Sequence, residues 1–142
     1  MRSDELPDDI NDLPLDDPEL AAGVIDLCLG YGDRLADSLL VLPCDERGVS
    51  LRMPVVVAGV PWDADAAGRR RGTGFLTEVP LPGVVVALSS AGRLRPTIVE
   101  RWRRTIERRL ESCGTTLVAF GVADARTDTV EIVGGLAGAA AA

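Results

Sequence analysis

The chain has 142 residues and a formal net charge of −7, with 22 acids against 15 bases, and every base is arginine. Histidine, lysine and glutamine are absent, which removes Ser-His-Asp triads, His-based zinc sites, Schiff-base lysines and Walker A phosphate loops. One domain of this length buries roughly 68–70% of its unfolded surface, and with aromatics at 4% the core must be aliphatic.

Residues 1–16 hold six acids, one arginine and two prolines with no helical stripe, the pattern of a flexible acidic arm. A first helix then opens on Asp17-Pro18-Glu19, an N-cap, a first-turn proline and a dipole-compensating acid. Leu20, Val24, Leu27 and Cys28 give it an apolar face, and Gly30 ends it. Two strand-like runs flank Asp45-Glu46-Arg47-Gly48, a four-residue hairpin connection. Pro43 and Pro54 belong at the ends of pairing or at bulges. The apolar run Val55–Val60 reads as a strand covered on both faces.

"PWDADAAGRRRGTGFLTEVP" reads as a turn of helix capped by Asp63, followed by a mobile loop. "GVVVALSS" is a buried strand. "RPTIVERWRRTIERRLESCG" follows as a helix, with Thr97 and Glu100 at capping-box spacing. "TTLVAFGVAD" and "DTVEIVGG" make two last strands around a turn at residues 124–128. The order α-β-β-α-β-α-β-β predicts an α/β (α+β) fold, a mixed sheet with flanking helices in three layers. A single domain then spans residues 17–135, and 136–142 form a small-residue tail with nothing to bury.

The arginine-rich helix raises the question of nucleic acid. On a wheel, Ile98, Val99, Trp102, Ile106, Leu110 and Cys113 share one arc, the core-facing stripe. Arg101, Arg104 and Arg108 form a ridge opposite, and Arg109 falls inside the apolar arc, expected to run past Trp102 or meet a carboxylate. Glu100–Arg104 and Arg103–Glu107 pairs absorb part of the charge. The ridge suits an acidic protein surface, the chain's own acidic arm or a second copy; overall acidity disfavours nucleic acid.

What chemistry remains is carboxylate or anion chemistry. Asp63 and Asp65 beside Trp62 follow a strand, where α/β sheets carry sites. Arg69, Arg70 and Arg71 in "RRRGTG" have the groups to cradle an anion. Ser89 and Ser90 end a strand near a helix N-terminus, Cys44-Asp45 reads as a buried thiol with a turn residue, and Asp33-Arg34 reads as a structural ion pair. Cys28, Cys44 and Cys113 are odd in number and lack C-x-x-C spacing, so reduced thiols are expected. No run approaches the ~18 apolar residues of a membrane span, and the first residues are acidic where a signal peptide is basic. A soluble cytoplasmic protein without membrane contact is the expectation.

"GYGDRLADSLLVLPCD", "PVVVAGVP" and the strand–helix–strand from Val84 to Val133 resemble a family of small α/β proteins from high-GC bacteria, over about residues 18–134. The element order is also similar to the cytidine-deaminase-like and JAB-like metalloprotease folds. Deaminases of that kind carry H/C-x-E at the second helix and P-C-x-x-C at the third, where this chain reads "PWDADAAG" and "RPTIVER"; the H-x-H pair of JAB-type enzymes is absent. The resemblance implies a shared topology without catalytic zinc. The function expected is a non-enzymatic interaction or regulatory module needing no metal or other cofactor. The alternatives are a small-molecule or anion binder, or a carboxylate-dependent enzyme, using residues 62–74, and a nucleic-acid accessory protein using the arginine helix.

Overall fold

The computed structural model describes residues 1–141; residue 142, the end of the expected tail, lies outside them. Asp17 caps α1 (Pro18–Cys28), accepting the N–H groups of Glu19 and Leu20 at 2.9 and 3.2 Å. The chain continues through α2 (Tyr31–Leu35), β1 (Leu39–Cys44), β2 (Val55–Val57), α3 (Ala66–Thr73), β3 (Gly83–Ser90), α4 (Pro96–Cys113), β4 (Thr116–Asp124), β5 (Glu131–Gly134) and α5 (Gly135–Ala141). The sheet order is β2-β1-β3-β4-β5, antiparallel except for the β3–β4 pair. That parallel pair needs a crossover, which α4 supplies. The mixed α/β architecture stands, with α2 and α5 added to the expected order.

Strand alternation divides the core. Leu40, Leu42, Val85 and Ala87 point to a layer containing Val24 and Ile25 of α1 and Ala137 of α5. Leu39, Val41, Val84, Val86 and Leu88 point to the other layer, with Trp102, Ile106 and Leu110 of α4. All eight residues of β3 are buried because it lies mid-sheet with helices on both faces.

Several expectations are corrected. The α1 face turns on Ala21, Val24 and Ile25, and Leu27 is 63% exposed. Pro43, by contrast, is the penultimate residue of β1, opposite Val84 and past the end of the β1–β2 pairing, as its lack of an N–H requires. Its missing N–H faces the β2 side, where pairing has already given way to a loop. The Val55–Val60 run is not covered: β2 is the sheet edge, and its three valines are exposed. Residues 66–77 are helical, as α3 and a 3-10 turn, where a mobile loop was expected; Asp65, not Asp63, caps α3. Arg95 and Pro96 start α4, so Thr97 lies inside the first turn and no side chain caps the helix.

The acidic arm is folded against the body. It forms 3-10 turns at Ser3–Glu5 and Ile10–Asp12, buries Leu15 and bridges Pro14 to Val49. It packs in the α1 layer, with the sheet between it and α4, so it does not cross the arginine ridge. The tail does bury something: Ala137 is fully enclosed in the α1 layer. Gly135 makes this possible, since at φ +74° a Cβ would lie 2.8 Å from the backbone of Ala119.

Candidate functional site: an arginine seam between two helices

Trp62 anchors the segment that precedes α3. Its Nε1 donates to the Ser89 carbonyl at 2.9 Å, and Trp102 Nε1 donates to the Trp62 carbonyl at 2.8 Å. The two rings meet edge to face, 5.0 Å apart at 84°, the geometry aromatic quadrupoles prefer. Both tryptophans are buried, so Trp62 acts first as a structural bolt joining β3, the 61–65 segment and α4.

Next to this bolt α3 lies along α4. Asp65 accepts the Gly68 N–H at 2.8 Å, Thr73 Oγ1 donates to the Arg69 carbonyl, and Arg109 Nη2 donates to the Arg70 carbonyl at 2.6 Å. Arg109 therefore meets neither a carboxylate nor the face of Trp102; it clasps the two helices together.

The seam opens into a cleft at each end. A cleft of about 250 Å³ beside Trp62 is lined by Asp63, Arg69, Arg95, Thr97 and Arg101. One of about 210 Å³ further along is lined by Arg69, Arg70, Thr105, Arg108, Arg109 and Ser112. The two arginine groups singled out in the sequence, 69–71 and 101–109, are thus two walls of one furrow. Arg71 departs from it, because successive helical residues diverge by 100°; it lines a separate hollow towards β2.

Charge along the seam is uneven. Arg103 binds Glu100 at 2.6 Å and Glu107 at 3.1 Å, and Arg104 binds Glu100 at 3.0 Å. The hydrogen bonds from Arg103, aided by Arg104, hold the Glu100 carboxyl below the usual carboxylate range. Among the described residues, Arg69, Arg70, Arg95, Arg101, Arg108 and Arg109 have no salt-bridge partner. Arg69 Nη1 donates to the Ala64 carbonyl at 2.9 Å, while its buried Nε has no acceptor. Local ion pairs therefore neutralise Arg103 and Arg104 and leave the furrow cationic.

The remaining candidates fall elsewhere. Asp65 is committed as a cap, and Asp63 stands exposed at the cleft rim without it. Ser89 donates to the Ser38 carbonyl and Ser90 to the Gly92 carbonyl, so both bond local backbone. Cys44 is buried, its thiol pushed up to about 12 by burial and by neighbouring Asp45, which holds the turn N–H groups of Arg47 and Val49. Asp33 accepts the Gly30 N–H instead of pairing with Arg34. Arg34 is buried, bound to Asp26 at 2.7 Å and to the carbonyls of Leu29 and Asp124.

Arg95 was the seam residue not anticipated, and the signal was present: R-P immediately before a helix places an arginine at the N-cap. A larger hollow, about 650 Å³ beside β5 and the start of α4, was also not anticipated. Its arginines, Arg93 and Arg103, face Glu100, Asp124 and Glu131, so it lacks the furrow's surplus charge. Among the described residues, no cluster of three Cys, Asp or Glu side chains has the geometry to hold a metal ion, and no helix is long and apolar enough to cross a membrane. No protein-family model, curated protein or solved structure matches this chain.

Proposed function

We propose that this chain is a non-enzymatic, cytoplasmic interaction module that binds an acidic segment of a partner protein along the α3–α4 seam. The observation that supports this is the gathering of six arginines that have no salt-bridge partner among the described residues, from segments some thirty residues apart, onto two clefts of one seam that share Arg69. Guanidinium forks suit carboxylates held at fixed spacing. Arg101 and Arg108 are separated by about 10 Å along the helix axis, which equals about three residues of polyproline II chain. A polyproline II peptide with acids three residues apart, which its three-residue turn keeps on one face, matches both clefts.

The β2-β1-β3-β4-β5 order supports the resemblance in topology to the cytidine-deaminase-like fold. The Trp62-end cleft lies between the starts of α3 and α4 and is lined by Arg69, Arg95 and Arg101. A second reading, a small anion held in that cleft alone, is favoured by one observation. Asp63 at its rim would accept an O–H or N–H from the same ligand, opposite the uncapped first turn of α4.

The test is calorimetric titration with a proline-rich, polyproline II peptide bearing glutamates three residues apart. Wild type is expected to bind in the micromolar range at low salt, and Arg69/Arg101/Arg108→Gln to bind at least about tenfold more weakly. Equal binding by the triple variant would reject the seam. Full competition by inorganic phosphate at the Trp62 end would favour the small anion, and salt-sensitive binding of duplex DNA would favour nucleic acid.

A further inference from the structure

The edge strand β2 carries a feature independent of the seam. Its three valines are between 36% and 46% exposed, with Met53 at 58% and Leu51 at 40% beside them. The direction of its backbone groups follows from hydrogen bonds on its neighbour. Ser89 N–H donates to the Ser38 carbonyl at 2.9 Å, so even-numbered positions of β1 turn their polar groups towards β3. Leu51 N–H donates to the Pro43 carbonyl at 2.9 Å, so odd-numbered positions turn towards β2. With Leu39 opposite Val57 and Val41 opposite Val55, those are the hydrogen-bonded pairs. Leu40–Val56 is therefore the non-bonded pair, and the N–H and C=O of Val56 point outward from the sheet edge. Gly59 N–H donates inward to the Ala36 carbonyl, which leaves Ala58 outward as well.

We propose that β2 pairs antiparallel with β2 of a second copy, two-fold about Val56, to make one ten-stranded sheet. In this register each Val56 exchanges both backbone bonds with its counterpart, and Val55 lies beside Val57 of the other copy. Ala58 N–H of each copy donates to the Pro54 carbonyl of the other. Pro54 has no N–H, so the Ala58 carbonyl opposite it stays unpaired and the register supplies four backbone bonds rather than six.

A second copy is the occupant that the charge pattern selects. Between Arg47 and Asp63 the sequence has one charge, Arg52, and the two-fold sets it opposite Val60. The strand segment itself therefore brings no like charges together, and the α3 cap Asp65 and Arg71 of α3, which line the hollow beside Val57 and Ala58, are of opposite sign. A closed isologous contact of this kind uses each edge once, and cross-strand valine pairs add side-chain contact to the backbone bonds. Five partly exposed side chains supply less than the ~800 Å² per partner of a standard interface, so the dimer is reversible and concentration-dependent.

Sedimentation equilibrium from about 5 to 500 µM tests this. Wild-type mass is expected to rise from 15.0 kDa towards twice that value. Val56→Pro removes the outward N–H, and Val56→Lys opposes two like charges at the axis; neither removes a bond to β1. Both variants are expected to stay monomeric with wild-type far-UV dichroism, and if the proline variant misfolds the lysine variant decides. A wild type that remains at 15.0 kDa at 500 µM, a lysine variant that dimerises equally well, or a mass climbing past the dimer would each overturn the proposal.

Discussion

Trp102 shows how much one side chain holds here. It is 1% exposed, meets Trp62 edge to face and donates its indole N–H to the Trp62 carbonyl. Trp102→Ala creates a cavity and strands a buried acceptor, and should cost about 3–5 kcal/mol in urea unfolding; near-normal stability would remove the bolt from the account. Asp26 sets a second expectation. Burial pushes its carboxyl up, but the Ser3 N–H and Arg34 together outweigh this and leave it lowered. A lowered carboxylate stabilises the fold above its unfolded pKa, about 3.9, and the contribution fades as pH falls through the folded value. The stability gap between wild type and Asp26→Asn should therefore be clear at pH 6 and shrink at pH 3. A gap of constant size in urea midpoints at both pH values would show that Asp26 keeps the same proton affinity when unfolded.

At the level of elements, sequence patterns read well where period and caps agreed. Asp17-Pro18-Glu19 began α1 where its capping chemistry required, β3 was buried throughout, and the stripe Trp102, Ile106, Leu110 faced the core. Reading failed where a partner element decides the outcome. An apolar triplet is the same string at a sheet edge as at its centre, so Val55–Val57 misled. Three glycines hid α3, because the contacts with α4 that hold it are not local. The small residues after Gly134 had no visible purpose until α1 supplied a surface for Ala137. For the site, both arginine sets were legible, but their union into one furrow was a tertiary fact. Gly135 and Gly74 separate backbone need from mere tolerance. Gly135→Ala forces a Cβ into Ala119 and should destabilise by more than 1 kcal/mol, about the ordinary scale of such changes. Gly74→Ala, in helical backbone with open space around it, should be neutral or slightly stabilising; thermal midpoints of the two variants check the contrast.

Across the whole molecule, the sheet separates two layers of opposite character. Residues 1–33, which fold with the α1 layer, hold ten acids and one arginine; residues 61–113, which build the α3–α4 side, hold ten arginines and six acids. The protein is thus an electric dipole as well as a net anion, with its positive end at the furrow. The acidic partner proposed above would be repelled by the monopole at long range and turned by the dipole as it neared, so that it would arrive furrow-first. Such orienting fields act on association rather than dissociation. Stopped-flow mixing with the acidic peptide should show an on-rate that falls as salt rises, despite the like net charges, while the off-rate changes little. An on-rate that rises with salt would mean the monopole wins. The dipole also bears on the edge-to-edge dimer, because a two-fold axis cancels the components perpendicular to it and leaves only those along it. Opposed residues of an antiparallel pair share a face, so the axis stands perpendicular to the sheet and sets both furrows on one side of it, and the dielectric relaxation amplitude per chain reads the component of the dipole along that axis.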